Sequence, residues 1–163
     1  SDGLPHIRIE HRPGPAGPTV SDSVANLALF CGLMLFFLED RNKLADMLPF
    51  EQAHQNFYQA AQHGLNCRLG WTENRLLDAR ELLLTELLPK AHAGLSLAGV
   101  NPADIDRYID VVKQRIEKNL TGTQWQRDYI HLNHAQIHQM LSAYINHEKA
   151  GSPVSQWPLE PRS

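Results

Sequence analysis

Cysteine is scarce in this sequence: Cys31 and Cys67 stand far apart, one of them inside an apolar helical run. Neither belongs to a Cys-x-x-Cys or His-rich spacing, which argues against a disulfide framework or a zinc ribbon and fits a reduced, cytoplasmic setting. Charge of one sign is lacking too. Fifteen Lys and Arg stand against 18 Asp and Glu, for a formal net charge of -3, and the basic residues are scattered along the chain. Neither nucleic acid nor an anionic membrane surface is therefore expected as a partner. Long apolar runs are short as well. The longest, Val24 to Leu38, is interrupted by Asn26 and closed by Glu39 and Asp40, below the roughly 18–20 residues that a membrane-spanning helix needs. It is expected to be a central core helix with apolar residues on nearly all faces. Asp2 and Pro5 precede any apolar run, so no signal peptide is read at the N-terminus. Internal repeats and sustained heptads are absent, which excludes a solenoid or a coiled coil.

What is present is an ordinary globular composition. With 163 residues, 42% hydrophobic and 20% charged, one domain with a real core is the expectation. His6 to Arg12 alternates apolar and polar residues as a strand does, with Ile7, Ile9 and His11 on one face and Arg8, Glu10 and Arg12 on the other. Pro13 to Pro18 then holds three prolines and two glycines and must be a loop. Thr19 followed by Asp22 predicts a capped start for a helix running to about Asn42. A second helix is predicted from Pro49 to a left-handed stop at Gly64, followed by an extended run from Leu65 to Trp71. That run is the only visible partner for the first strand. Thr72 is read as the cap of a third, leucine-rich helix kinked or broken at Pro89. Asn101, Pro102 and Asp104 predict a fourth helix to about Lys118, and Thr123 a last long one to about Lys149.

The fold class that follows is mainly α, a helical assembly with one or two short strands. Residues 1–17 form the strand and Pro/Gly loop, 18–150 the helical domain and 151–163 an irregular Pro-rich tail.

Chemistry is best placed on the polar face of the first strand. Arg8, Glu10 and Arg12 set a carboxylate between two guanidinium groups, side chains about 7 Å apart at strand spacing. A carboxylate is a hard ligand for Mg²⁺ and a guanidinium forks onto phosphate oxygens, so this trio could hold a metal-nucleotide. The plainer reading is a solvent-facing strand with cross-paired charges.

The string Arg8-Ile9-Glu10-His11-Arg12, then Pro15-Ala16-Gly17-Pro18-Thr19 with Asp22 and an apolar helix entered through Ala25-Asn26, resembles the late part of the catalytic domain of glutamate-cysteine ligases and related carboxylate-amine ligases. Asn56-Phe57-Tyr58 with Ala60-Ala61-Gln62-His63-Gly64-Leu65, and Thr121-Gly122-Thr123-Gln124-Trp125-Gln126, resemble that family's C-terminal helices. The resemblance implies the C-terminal part of an α+β, glutamine-synthetase-like catalytic fold that uses ATP and Mg²⁺. It implies Glu10 as a metal ligand, Arg12 as a phosphate-contacting catalytic residue and Arg8 as a residue for substrate or for pairing with Glu10. The small-molecule substrates would be glutamate and an amine, possibly cysteine, joined through an acyl phosphate. The family's other metal-binding carboxylates belong to strands that would precede Ser1, so the partner expected is that N-terminal part of the catalytic domain, without which the chain should be inactive. A homo-oligomer is compatible with this reading. The alternative is a non-catalytic helical interaction module.

His131, His134 and His138 fall at i, i+3 and i+7 of the predicted last helix, a face that could bind Zn²⁺ or Ni²⁺, or could simply be polar. Asn26 reads as a buried amide satisfied by backbone or by a neighbouring polar group, with a substrate contact as the alternative. Trp71, Trp125 and Trp157 read as core or interface anchors. Cys31 reads as an inert buried thiol, whereas Cys67 beside Arg68 retains a chance of reactivity.

Overall fold

The structure, a computed structural model, describes residues 14, 16–39 and 46–159. The strand predicted over His6–Arg12, and with it Arg8, Glu10 and Arg12, lies outside the described residues. Within them the chain is mainly helical, with one two-stranded antiparallel sheet.

Helix α1 spans Val20–Glu39. The Thr19 hydroxyl accepts the Asp22 N–H at 3.2 Å and donates to Asp22 Oδ2 at 2.8 Å, the capped start that the Thr-x-x-Asp spacing predicts. Helix α2 spans Phe50–His63 and ends, as predicted, at Gly64, whose φ of 56° is in the left-handed region and whose N–H reaches Ala60 O.

The next element departs from expectation. Strand β1, Arg68–Gly70, pairs with strand β2, Leu76–Asp78, in the register Arg68↔Asp78, Leu69↔Leu77 and Gly70↔Leu76. Leu76 and Leu77 therefore belong to a hairpin rather than to the third helix, and Thr72 opens the turn between the strands instead of capping a helix. Two physical reasons are visible. Asp78 is a stronger cap, its carboxylate accepting the Arg80 and Glu81 N–H groups. Asn56 on α2 supplies a distant partner for the strand: its Nδ2 donates to Gly70 O at 2.7 Å and its Oδ1 accepts the Gly70 N–H at 2.9 Å. That side chain satisfies the backbone edge that a three-residue strand leaves open.

Helix α3 begins as Ala79–Leu82, widens into a π-helical turn at Leu83–Leu87 and continues as Leu88–Leu97. The wide turn lies directly before Pro89, which lacks an N–H and crowds the preceding turn. The helix thus passes through the proline without breaking. Helix α4, Pro102–Glu117, follows its predicted start, with Asn101 Oδ1 accepting the Ala103 N–H at 2.9 Å.

The predicted last long helix is two helices, α5 (Gly122–Asn133) and α6 (Ile137–Ala150). The cap of α5 is Thr121, two residues earlier than expected, its hydroxyl accepting the Gln124 N–H at 3.2 Å. His134 ends α5 in the left-handed region at φ 46°, and Asn133 Nδ2 donates back to Tyr129 O at 3.0 Å, satisfying a carbonyl of the last turn.

Two cores hold these elements. The larger joins α1, α3 and α4 through Ala25, Leu88, Ala91, Leu95, Ile105, Ile109, Val112 and Ile116. The smaller joins α5, α6 and the C-terminal segment through Leu120, Trp125, Tyr129, Met140, Ala143, Val154 and Trp157. Helix α1 is less enclosed than its composition suggests. Ala25 is fully buried, but Val20, Leu27 and Met34, at every seventh position, and Leu38 are exposed. Counted from Val20 rather than Val24, this helix is also long and apolar enough to cross a membrane by length and composition. In the fold its opposite side packs on α3.

The contact of α1 with α3 is made by backbone. A Cβ on Gly94 would fall on Gly32 O and lie 2.8 Å from Phe36 N, and a Cβ on Gly32 would fall on Ala91 O. Gly94→Ala gains about 1 kcal/mol of helix propensity, but overpacking costs about 1–3 kcal/mol or more. With backbone as the obstacle no side chain can swing away, so overpacking wins. The expected outcome is a net loss of about 2 kcal/mol in urea unfolding, against a near-neutral Ser96→Ala on the exposed side of the same helix.

Candidate functional site

Gly14 and residues 16–18 of the Pro/Gly loop, the middle of α1, the end of α4 and the start of α5 line a half-open cavity of about 550 Å³. Glycines bring these segments together. A Cβ on Gly17 would stand 2.5 Å from Ser23 N, so the loop lies directly on the first turn of α1, where the Gly17 N–H donates to Ser23 Oγ at 3.0 Å. A Cβ on Gly122 would stand 2.6 Å from Pro18 Cγ, so the start of α5 closes on the same loop.

At the edge of this cavity is a buried polar cluster. Asp22 is fully buried and Arg115 lies across from it, its side chain only 12% exposed. Arg115 Nη2 donates to Asn26 Oδ1 at 2.8 Å, while Arg115 Nε and Asp22 Oδ1 face each other at 3.8 Å, outside hydrogen-bond range. Asp22 Oδ2 accepts from the Thr19 hydroxyl and, at 3.0 Å, from the Val154 N–H. One carboxylate thus ties the first turn of α1 to the C-terminal segment and offsets the guanidinium of α4. Burial pulls Arg115 below its ordinary value, and Asp22 opposes that shift. Tyr144, on the cavity wall, is pushed up by burial first and by Glu148 and Asp22 next.

No protein family, curated protein or solved structure matches this chain.

Asn26 is half-buried on the cavity wall rather than buried, and its Oδ1 accepts from Arg115 Nη2 at 2.8 Å. Arg115 itself escaped the sequence reading. Its signal was a cation set among the apolar positions Val111, Val112 and Ile116 of α4, all buried, with no acid on α4 that pairs with it; the partner is on α1 and invisible to local spacing. Arg8, Glu10 and Arg12 lie outside the described residues, and Arg12 precedes Gly14, a wall residue of the cavity, by two positions.

The histidine face is overturned. His134 is the left-handed residue that ends α5 and His138 belongs to α6, so the three side chains do not share one helix. Among the described residues no three His, Cys, Asp or Glu side chains converge as a metal set. The chance of a reactive Cys67 is also overturned, since the thiol is buried and its burial pushes the pKa up, disfavouring the thiolate. Trp71 donates through Nε1 to Glu86 Oε2 at 3.1 Å, and Arg75 Nη1 and Lys90 Nζ meet the same carboxylate at 2.7 and 3.2 Å. This cluster braces the hairpin against α3. The carboxyl of Glu86 is held below its ordinary range, by Arg75 above all. Trp125 and Trp157 are core anchors, ring centroids 5.1 Å apart and edge-on.

Proposed function

We propose that this chain is the C-terminal, mainly helical part of an ATP- and Mg²⁺-dependent carboxylate-amine ligase of the glutamate-cysteine ligase type. The observation that carries the reading is a convergence. The loop Ala16-Gly17-Pro18 with Asn26, and the stretch Thr121-Gly122-Thr123 with Gln126, carry the family resemblance from opposite halves of the chain, and they line one cavity. Neighbouring walls made of two resembling motifs are what a shared ancestral site would leave. In this reading Glu10 is a metal ligand, Arg12 contacts phosphate and Arg8 serves substrate. In this reading the remaining metal ligands would come from the N-terminal part of the catalytic domain, the partner that the family resemblance implies. The setting is cytoplasmic, and assembly as a homo-oligomer is compatible with it.

The reaction would be two-step. A glutamate carboxylate oxygen attacks the terminal phosphorus of ATP and ADP leaves with the bridging electron pair. The amine nitrogen then attacks the acyl carbon, phosphate departs with the C–O pair, and the nitrogen yields its proton to solvent. Guanidinium groups stabilise charge that develops on the phosphoryl oxygens.

The test is ADP release by the product of the complete reading frame with Mg²⁺, glutamate and a panel of amines. Amine-dependent release that Glu10→Ala abolishes, with the melting temperature unchanged, supports the ligase. Arg12→Lys should also depress release, at least about tenfold, because a lysine keeps the charge but loses the bidentate fork. Absence of release with every amine would transfer support to a helical interaction module. That second reading is favoured by one observation. Phe50, Phe57 and Tyr58 share one side of α2 at helical spacing and are all more than half exposed.

A further inference from the structure

Helix α1 carries a pattern that neither core accounts for. Val20, Val24, Leu27, Cys31, Met34 and Leu38 follow one another at intervals of four, three, four, three and four residues, the 3.5-residue period of a seam that faces another helix. None of the six is buried. Val20, Leu27, Leu38 and Met34 are 81, 59, 56 and 37% exposed, and Val24 and Cys31 are half-buried. From Ser23 to Leu38 the helix holds no Lys, Arg, Asp or Glu, so it is apolar on every side while one side lies open among the described residues. A helix that is apolar all round is a covered helix, and the period of the seam names another helix as the cover.

The seam is bordered by a groove of the same chemistry. Between α1 and the start of α4 lies a hollow of about 340 Å³, with Leu95, Val100, Ile105 and Tyr108 across from Leu27 and Cys31. Ridge and hollow side by side on one face are what a self-complementary, two-fold contact needs.

Two features select a second copy of this chain as the cover. The series of intervals is palindromic about position 29, so two antiparallel copies related by a two-fold axis keep all six positions in register. In that register Val20 meets the partner's Leu38, Val24 the partner's Met34 and Leu27 the partner's Cys31. Each layer then sets a smaller side chain against a larger one, which fills the seam evenly. A parallel pair would instead stack leucine on leucine at one end and cysteine on cysteine in the middle. Antiparallel helices also place opposite dipole ends side by side.

We propose that α1 is the dimerisation helix of this chain, two copies packing antiparallel along Val20, Val24, Leu27, Cys31, Met34 and Leu38 about a two-fold axis level with position 29. The seam is about 27 Å long and about 10 Å wide, with Leu97 and Val100, 68 and 39% exposed, beyond it. That is less than the roughly 800 Å² per partner of a standard interface, so the dimer is reversible. The inference does not rest on the ligase reading, which only allows a homo-oligomer and assigns it no surface.

The test is analytical ultracentrifugation of the full 163-residue chain between about 2 and about 200 µM, where a monomer–dimer equilibrium is expected. Leu27→Glu sets two carboxylates against each other beside the axis and should weaken dimerisation at least about hundredfold. Its circular dichroism should match that of the wild type diluted to monomer, since Leu27 is an exposed residue. The register is read by oxidation. Val24→Cys/Cys31→Ser/Met34→Cys should form a disulfide between chains, because positions 24 and 34 of opposite copies share a layer. Neither Val24→Cys/Cys31→Ser nor Cys31→Ser/Met34→Cys should do so, since like positions stand about 15 Å apart along the seam. A chain that is monomeric over the whole range, a dimer that survives Leu27→Glu, or a disulfide formed by either variant with one seam cysteine would each overturn the assignment. So would a monomer that sediments with phosphatidylcholine vesicles, which would make lipid the cover of α1. No ATP turnover is measured, so failure here and failure of the ligase reading are separate results.

Discussion

Asp22→Ala is expected to lower the stability of the chain by about 3–5 kcal/mol, the cost of stripping a buried charge of its partner. The magnitude comes from what the carboxylate leaves behind. Arg115, 88% buried by its side chain's 12% exposure, would have no counter-charge in a low-dielectric setting. The Val154 N–H, which Asp22 Oδ2 accepts at 3.0 Å, would be an orphaned donor, and the Thr19 hydroxyl would lose the acceptor for its proton while still capping the residue-22 N–H. Chemical denaturation followed by circular dichroism measures the loss. Asp22→Asn should cost less, since the amide oxygen still accepts from Val154 and Thr19 while the ion pair is gone. A double-mutant cycle of Asp22→Ala with Arg115→Ala separates the two components. The cycle should recover much of the loss, because removing both charges leaves no unpaired ion. A cycle without coupling would mean that the 3.8 Å approach of Arg115 Nε to Asp22 Oδ1 contributes nothing, and that Asp22 acts only as an anchor for the C-terminal segment.

The second large effect is expected at Trp157. Its ring is 4% exposed, packs edge-on against Trp125 at 5.1 Å and against Tyr144 at 5.1 Å, and stacks on His147 at 5.2 Å. Its Nε1 donates to Ser152 O at 2.8 Å. Trp157→Ala removes the largest contributor of that segment to the smaller core and should cost about 3–5 kcal/mol. Trp157→Phe retains the body of the ring and loses the donor, and should cost about 1–2 kcal/mol. Intrinsic fluorescence reads the effect directly, since Trp125 is fully buried beside it and its emission should shift to the red if the aromatic cluster opens. An unchanged unfolding midpoint in Trp157→Ala would show that the segment after Gly151 rests on α5 and α6 without holding them.

Both predictions concern residues whose weight could not be read locally. Thr19 and Asp22 announce a helix start by spacing alone, and so do Asn101 and Pro102, because an N-cap is satisfied by donors within three residues of it. Gly64 announces the end of α2 for the same reason. Where a second partner came from far along the chain, pattern reading failed. The hairpin around Thr72 depends on Asn56 closing the edge at Gly70. The break at His134 depends on α5 and α6 turning back to enclose Trp125, Tyr129, Met140 and Ala143 in one core. The tail after Gly151 is irregular in backbone, with a single short 3₁₀ turn at Val154–Gln156. Trp157 could be read as an anchor from its residue type, but nothing in the composition of the tail marked Val154 as fully buried.

By itself, then, the sequence determined the helical class, the starts of α1 and α4 and the end of α2, since capping and periodicity act within a turn or two of chain. It also supplied the residues whose resemblance motivates the ligase reading. The tertiary structure alone decided which side of α1 is covered, that Gly32 and Gly94 let two backbones touch, and that Arg115 would meet Asp22 and Asn26 at the edge of a cavity. Those are long-range matters: burial and charge pairing are fixed by which surfaces meet, and a partner on another helix leaves no trace in the spacing of its neighbours.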